Sequence, residues 1–177
     1  MKKSILLLIL ILTLNCSSTN TKKHEPELSF EEKIDLLEYN LILPFKWHPY
    51  LDIHKDIAFS PLITSDKNSR VHILIMKIPP SEHNDISLKE IAEKGNKNLA
   101  KYLTVYGAKI TTEQSKFGET CINTYSYTLN SNKIKLEKTY FKFQEDYYCF
   151  IYASDESLFP KYYTDSKKIF ESLKFKE

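Results

Sequence analysis

The sequence predicts an α+β fold in which an antiparallel sheet is covered by helices on both faces, and three observations carry that prediction. Glu119 to Ala153 holds three runs of β-branched and aromatic residues, Glu119–Leu129, Lys133–Gln144 and Tyr147–Ala153, broken at Asn130-Ser131-Asn132 and Glu145-Asp146. Runs punctuated in this way by turn residues form a meander. Alternation within the runs then puts apolar side chains on both sides of it. With Leu129 opposite Ile134, Tyr127 falls opposite Leu136, Tyr125 opposite Lys138 and Cys121 opposite Lys142; past the second break Lys142 falls opposite Cys149 and Tyr140 opposite Ile151. One face carries Tyr125, Tyr127, Leu129, Ile134, Leu136, Tyr140, Ile151 and Ala153, and the other Ile122, Phe141, Phe143, Tyr148, Phe150 and Tyr152. A sheet wet on one side alternates apolar with polar, so two apolar faces call for cover on both. The third observation is that the period changes to a helical one on either side of the meander.

Taken in order, Ser29-Phe30-Glu31-Glu32 has the form of a capping box and predicts a short helix from Phe30 to about Leu37, with Glu38–Leu43 equally able to start the first strand. Leu41-Ile42-Leu43 predicts a first strand ending at Pro44, since proline has no N–H to give a ladder. Ile57–Ile63 and Arg70–Ile78 predict two more strands about the polar turn Thr64–Ser69, the second stopped by Pro79-Pro80. Ser87-Leu88-Lys89-Glu90 is a second capping box, and Leu88, Ile91, Ala92, Gly95, Leu99, Tyr102 and Leu103 stripe one face of a helix running to Leu103. Gly107 is expected to close the turn after it, with Ala108–Phe117 a strand leading through Gly118 into the meander. Phe159, Tyr162, Tyr163, Ile169, Phe170 and Leu173 stripe a last helix, where Pro160 is tolerated in the first turn.

The chain has 177 residues, which favours one domain, and its 42% hydrophobic and 13% aromatic content excludes a disordered protein. Met1-Lys2-Lys3 followed by the apolar run Ile5–Leu12 is the pattern of an export signal. Ten helical residues span about 15 Å, half of a ~30 Å hydrocarbon core, so the run is too short to be a spanning anchor. Residues 1–15 therefore read as a signal peptide, 16–28 as a polar tether without periodicity, and 29–177 as the globular domain. Loss of Lys2 and Lys3 leaves 23 basic against 23 acidic residues, so there is no excess of positive charge for a nucleic-acid partner. Three glycines, at 95, 107 and 118, cannot assemble a phosphate-cradling loop.

Cys16, directly after the apolar run, makes the leader resemble a bacterial lipoprotein signal, in which that cysteine is acylated and becomes the N-terminus. The match departs from the usual pattern at Thr13 and Asn15, with Leu at 12 and 14. The resemblance implies a lipid anchor on the cell envelope, and Ser17, standing where aspartate would favour inner-membrane retention, leans towards the outer membrane. The domain has a resemblance of its own. Pro44-Phe45-Lys46-Trp47 after a first strand, two further strands, a helix opening at Ser87-Leu88, the meander, and a closing Ile169-Phe170-Glu171-Ser172-Leu173-Lys174-Phe175 look like the PsbP-like domain, shared with the bacterial envelope lipoprotein family DcrB and a eukaryotic Ran-binding import factor. Over about Glu38 to Phe175 the resemblance implies an α/β/α sandwich. Members are mostly binding or assembly factors, with no common catalytic set to carry over.

The residues offer little chemistry beside this. His48, Asp52, His54 and Asp56 are metal-ligand types within nine positions, with His72 on a neighbouring strand, but their spacing matches no helical two-histidine site and a solvated loop accounts for them, so no metal or other cofactor is assigned. Cys121 and Cys149 both stand opposite Lys142, two strand spacings or about 9.6 Å apart, beyond the roughly 7 Å that a disulfide bridges. No Gly-x-Ser-x-Gly or Cys-x-x-Cys occurs, so no nucleophile is assigned and an enzyme is not expected. Tyr125, Tyr127, Tyr140, Tyr147, Tyr148 and Tyr152 suit a core with hydroxyls at its rim, and a ligand cleft is the alternative. The expected function is that of a membrane-anchored, non-catalytic binding or assembly module for an envelope or host protein. The alternative is a carrier of a small ligand or metal.

Overall fold

The computed structural model of the chain describes residues 28–61, 71–80 and 86–176. The expected signal peptide, the candidate lipid site Cys16 and the tether up to residue 27 lie outside them, as does the turn Thr64–Ser69. The strands in chain order are β1 (Tyr39–Asn40), β2 (Trp47–Leu51), β3 (Ile57–Pro61), β4 (His72–Lys77), β5 (Val105–Ser115), β6 (Gly118–Leu129), β7 (Asn132–Phe143), β8 (Asp146–Asp155) and β9 (Lys174–Phe175). The helices among the described residues are α1 (Phe30–Asp35), α2 (Leu88–Leu99) and α3 (Phe159–Ser172). Seven strands form one antiparallel sheet in the order β2-β3-β4-β8-β7-β6-β5, and β1 pairs separately with β9.

The meander exists, but its register lies two residues from the expected one. Tyr127 faces Ile134, Tyr125 faces Leu136 and Cys121 faces Tyr140; beyond the second turn Tyr140 faces Cys149 and Lys142 faces Tyr147. The turns are tighter than the polar breaks suggest. Asn130 and Ser131 alone close the first, both at positive φ, so Asn132 already pairs with Leu129; Gln144 takes positive φ in the second, and Phe143 pairs with Asp146. A slip of two preserves which side chains share a face, because strand side chains alternate with a period of two.

The buried side chains of the sheet fall into clusters that include residues of different helices. Phe141, Tyr148, Phe150 and Tyr152 form a buried cluster with Phe159, Ile169 and Phe170 of α3 and with Leu173, while Cys121, Tyr140 and Cys149 pack with Ile91 and Ala92 of α2. Tyr125, Ile134, Leu136 and Ala153 continue the second face, with Leu99 of α2 and Val105 against them. Both capping boxes are present: the Ser29 Oγ accepts from the Glu32 N–H and the Ser87 Oγ from the Glu90 N–H, each at 3.2 Å, while each glutamate accepts from the cap's own N–H.

Three expected boundaries move, each for a local reason. No strand forms over Leu41–Leu43; the Ile42 N–H donates to the Ser172 Oγ at 2.9 Å instead of to a ladder, and the short pair Tyr39↔Phe175 takes its place. Helix α2 stops at Leu99 rather than Leu103, leaving Tyr102 82% exposed, and the chain enters β5 at Val105. Gly107 therefore lies within β5, not in the turn before it, and its positive φ serves a register shift between Tyr106 and Lys109. That is the backbone of a β-bulge, which glycine enters without steric cost.

Candidate functional site

The segment Trp47 to Asp56 is a β-hairpin. Its first half is the edge strand β2, where Pro49 stands opposite Phe59, and Asp52 to Asp56 form the turn into β3. Proline fits there because an edge strand leaves one side of its backbone unpaired. Asp52 is committed to the turn: one carboxylate oxygen accepts from the His54 N–H at 2.8 Å and from the Asp56 N–H at 2.9 Å, and Lys55 takes positive φ. His54 and Asp56 are exposed. His48 stands opposite Ser60 on β3, and the pair Phe59↔Ile73 between β3 and β4 puts His72 on the same face as Ser60, so two of the sequence's histidines share one face with a strand between them. The His48 Nδ1 is buried with no hydrogen-bond partner among the described residues, and burial lowers the His72 pKa below the usual histidine value although the Asp52 charge pulls it the other way. No group of three or more His, Cys, Asp or Glu able to hold a metal ion occurs among the described residues.

Cys121 and Cys149 do stand opposite one shared residue, which is Tyr140 rather than Lys142, and both are unpaired and buried. Burial pushes the Cys149 thiol up to about 12 and raises Cys121 as well, so neither is a thiolate near neutral pH. Of the six tyrosines singled out in the sequence, Tyr125, Tyr140, Tyr148 and Tyr152 are buried. The Tyr148 hydroxyl donates to Glu38 at 2.9 Å and that of Tyr152 to the Phe159 carbonyl at 2.8 Å, as expected of core tyrosines with polar tips.

The surface best suited to hold something lies elsewhere, along the edge of α2. A groove of about 430 Å³ opens between that helix and the sheet, with Ile78, Ile91, Cys149 and Ile151 on its apolar walls and Tyr140 between them. Its volume falls within the range of small-ligand sites. The helix is fixed beside it by a reciprocal amide pair, Asn96 to Asn123 at 3.1 Å and Asn123 to Asn96 at 2.8 Å. Gly95 lets the Tyr140 hydroxyl come up against the helix, where an added Cβ would meet it at 3.4 Å.

Lys138 lies in this groove, half-buried in the middle of β7. Its ammonium sits 5.8 Å from the centre of the Tyr125 ring. Burial works against its charge, and Tyr125 and Cys149 beside it more than offset that, so its pKa is above the usual lysine value. The residue was legible and overlooked. In the alternating positions Ile134, Leu136, Lys138 and Tyr140 a single lysine interrupts an apolar stripe, and a charge aimed at a buried face marks a site more often than an exposed one does.

No family model matches the chain, and no curated protein matches it. Among solved structures it is similar to the cyanobacterial PsbP (CyanoP) from Synechocystis sp. PCC 6803, with a TM-score of 0.53 and 11% identity over 78% of this chain and 87% of that one. It is similar to the same degree, TM-score 0.53, to LpqN, a protein involved in cell envelope biogenesis of Mycobacterium tuberculosis, with 13% identity over 78% of this chain and 83% of that one. No helix among the described residues is long and apolar enough to cross a membrane. The antiparallel sheet, with the three helices among the described residues, is a PsbP-like fold.

Proposed function

We propose that this is a membrane-anchored lipoprotein of the bacterial envelope, held by acylated Cys16, whose PsbP-like α/β/α sandwich binds a partner without transforming it. The observation that carries the reading is the contrast between the reactive side chains and the concave surface. The two thiols are buried and protonated, Asp52 is taken up by its own turn, and His48 and His72 are separated by β3, whereas the groove beside α2 is open, apolar and cationic. The fold shared with LpqN, whose described role is in envelope biogenesis, supports an envelope setting. The groove favours a second reading, a small-ligand carrier, and leaves its metal-carrier form without a donor set among the described residues.

Metabolic labelling of producing cells with a clickable fatty acid tests the anchor. The wild-type chain is expected to take the label and to fractionate with membranes, and Cys16→Ser to lose both. Each acyl chain adds roughly 0.8 kcal/mol per buried CH₂, so a multiply acylated chain leaves the membrane on no experimental timescale. An unlabelled wild-type chain whose fractionation Cys16→Ser does not change would refute the anchored reading.

A further inference from the structure

We propose that the groove between α2 and the sheet binds a single-chain amphipathic carboxylate, its head on the Lys138 ammonium and its chain along Ile78, Ile91 and Ile151. The inference rests on the reading of the groove as the binding surface and names the class of ligand.

Charge complementarity selects the head group. Among the described residues the ionic side chains lining the groove are Lys77, Lys94 and Lys138, with no Asp or Glu beside them. Lys77 is neutralised by Asp146 at 2.7 Å, and Lys94 is exposed on the helix. Lys138 is the cation set deepest against apolar wall, and no carboxylate pairs with it among the described residues; Tyr125 supplies only a ring face and a hydroxyl. A half-desolvated cation without a counter-ion is stabilised by any anion that reaches it. Among the described residues every lining cation is a lysine, a point charge suited to a monoanion, and none is the planar guanidinium fork that grips phosphate in two places. Beyond the head, the walls offer hydrocarbon: Ile78 and Ile91 are buried in the same cluster as Cys149, with Ile151 packed against it. The site therefore asks for one negative charge and one apolar chain.

The test is calorimetric titration of the purified full chain, stripped of detergent, with dodecanoate, decanoate, dodecanol and dodecylamine, each below its aggregation concentration. Dodecanoate is expected to bind one per chain, about fourfold more tightly for each added CH₂, and at least tenfold more tightly than dodecanol, with dodecylamine rejected. Lys138→Met, which keeps the length and removes the charge, is expected to lose at least tenfold for dodecanoate and to leave dodecanol binding and the thermal midpoint unchanged. A diazirine-bearing dodecanoate is expected to label α2 or β8. Equal binding of dodecanoate and dodecanol, unaffected by Lys138→Met, would overturn the carboxylate assignment and leave the groove as a ligand site. Failure of every amphiphile to bind, or labelling confined to residues away from the groove, would overturn both.

Discussion

Replacing Phe141 with alanine is expected to lower the unfolding free energy by about 3–5 kcal/mol, the range for removing a buried aromatic ring. Phe141 is 0% exposed and lies at the centre of the α3 side of the sheet. Its ring stacks on Phe117 at 4.5 Å and on Tyr148 at 5.7 Å, and meets Phe170 edge-on at 5.5 Å. The cavity left behind would be bordered by the β5–β6 turn, β8 and α3, which cannot all move inward, so relaxation recovers little. Phe45→Ala is the matched control: the same side chain, 90% exposed, is expected to change stability by no more than about 0.5 kcal/mol. Urea unfolding with a common slope compares the two directly. A loss of under about 1 kcal/mol for Phe141→Ala would mean that this face of the sheet is not shielded.

The second large effect concerns a buried carboxylate on β7. The Glu137 side chain is 9% exposed and accepts from the Lys167 ammonium at 2.9 Å and the Tyr163 hydroxyl at 3.0 Å, both on α3. Lys167→Met would leave the negative charge with one neutral donor. Removing one partner of a buried pair costs more than the pair contributes, because the remaining ion stays desolvated. Lys167 itself is 31% exposed, so water screens part of the interaction, and the expected loss is about 1–3 kcal/mol rather than the fully buried value. The double variant Glu137→Gln, Lys167→Met is expected to recover most of that loss, since a neutral amide still accepts from Tyr163. Simple additivity of the two single changes in a double-mutant cycle would show that the charges are not coupled.

The sheet was legible in its faces and illegible in its register. Alternation alone assigns Tyr140 to one side and Phe141 to the other, and no even-numbered slip alters that. The register depended on which residues take positive φ, and Ser131 and Gln144 do not announce it as a glycine would. The strand β2 was hidden by Pro49, which reads as a break unless the strand is known to lie at the sheet's edge. The pair Tyr39↔Phe175 joins opposite ends of the domain, and two residues carry no period to detect. Both capping boxes were legible because their chemistry is local. The groove was not, since it depends on how far α2 sits from β8, although Lys138 in its apolar stripe marked where to look.

The measurement closest to the central claim is a set of side-chain nuclear Overhauser contacts in the folded protein, read from neighbours on β7 that point in opposite directions. The account predicts that the Phe141 ring meets Phe117 and Phe170, and that the Tyr140 ring meets Ile91 and Ala92, with no helix shared between them. Contacts from both rings to the same helix, or a Tyr140 ring open to a dissolved paramagnetic probe, would contradict the two-sided sheet and remove the groove with it.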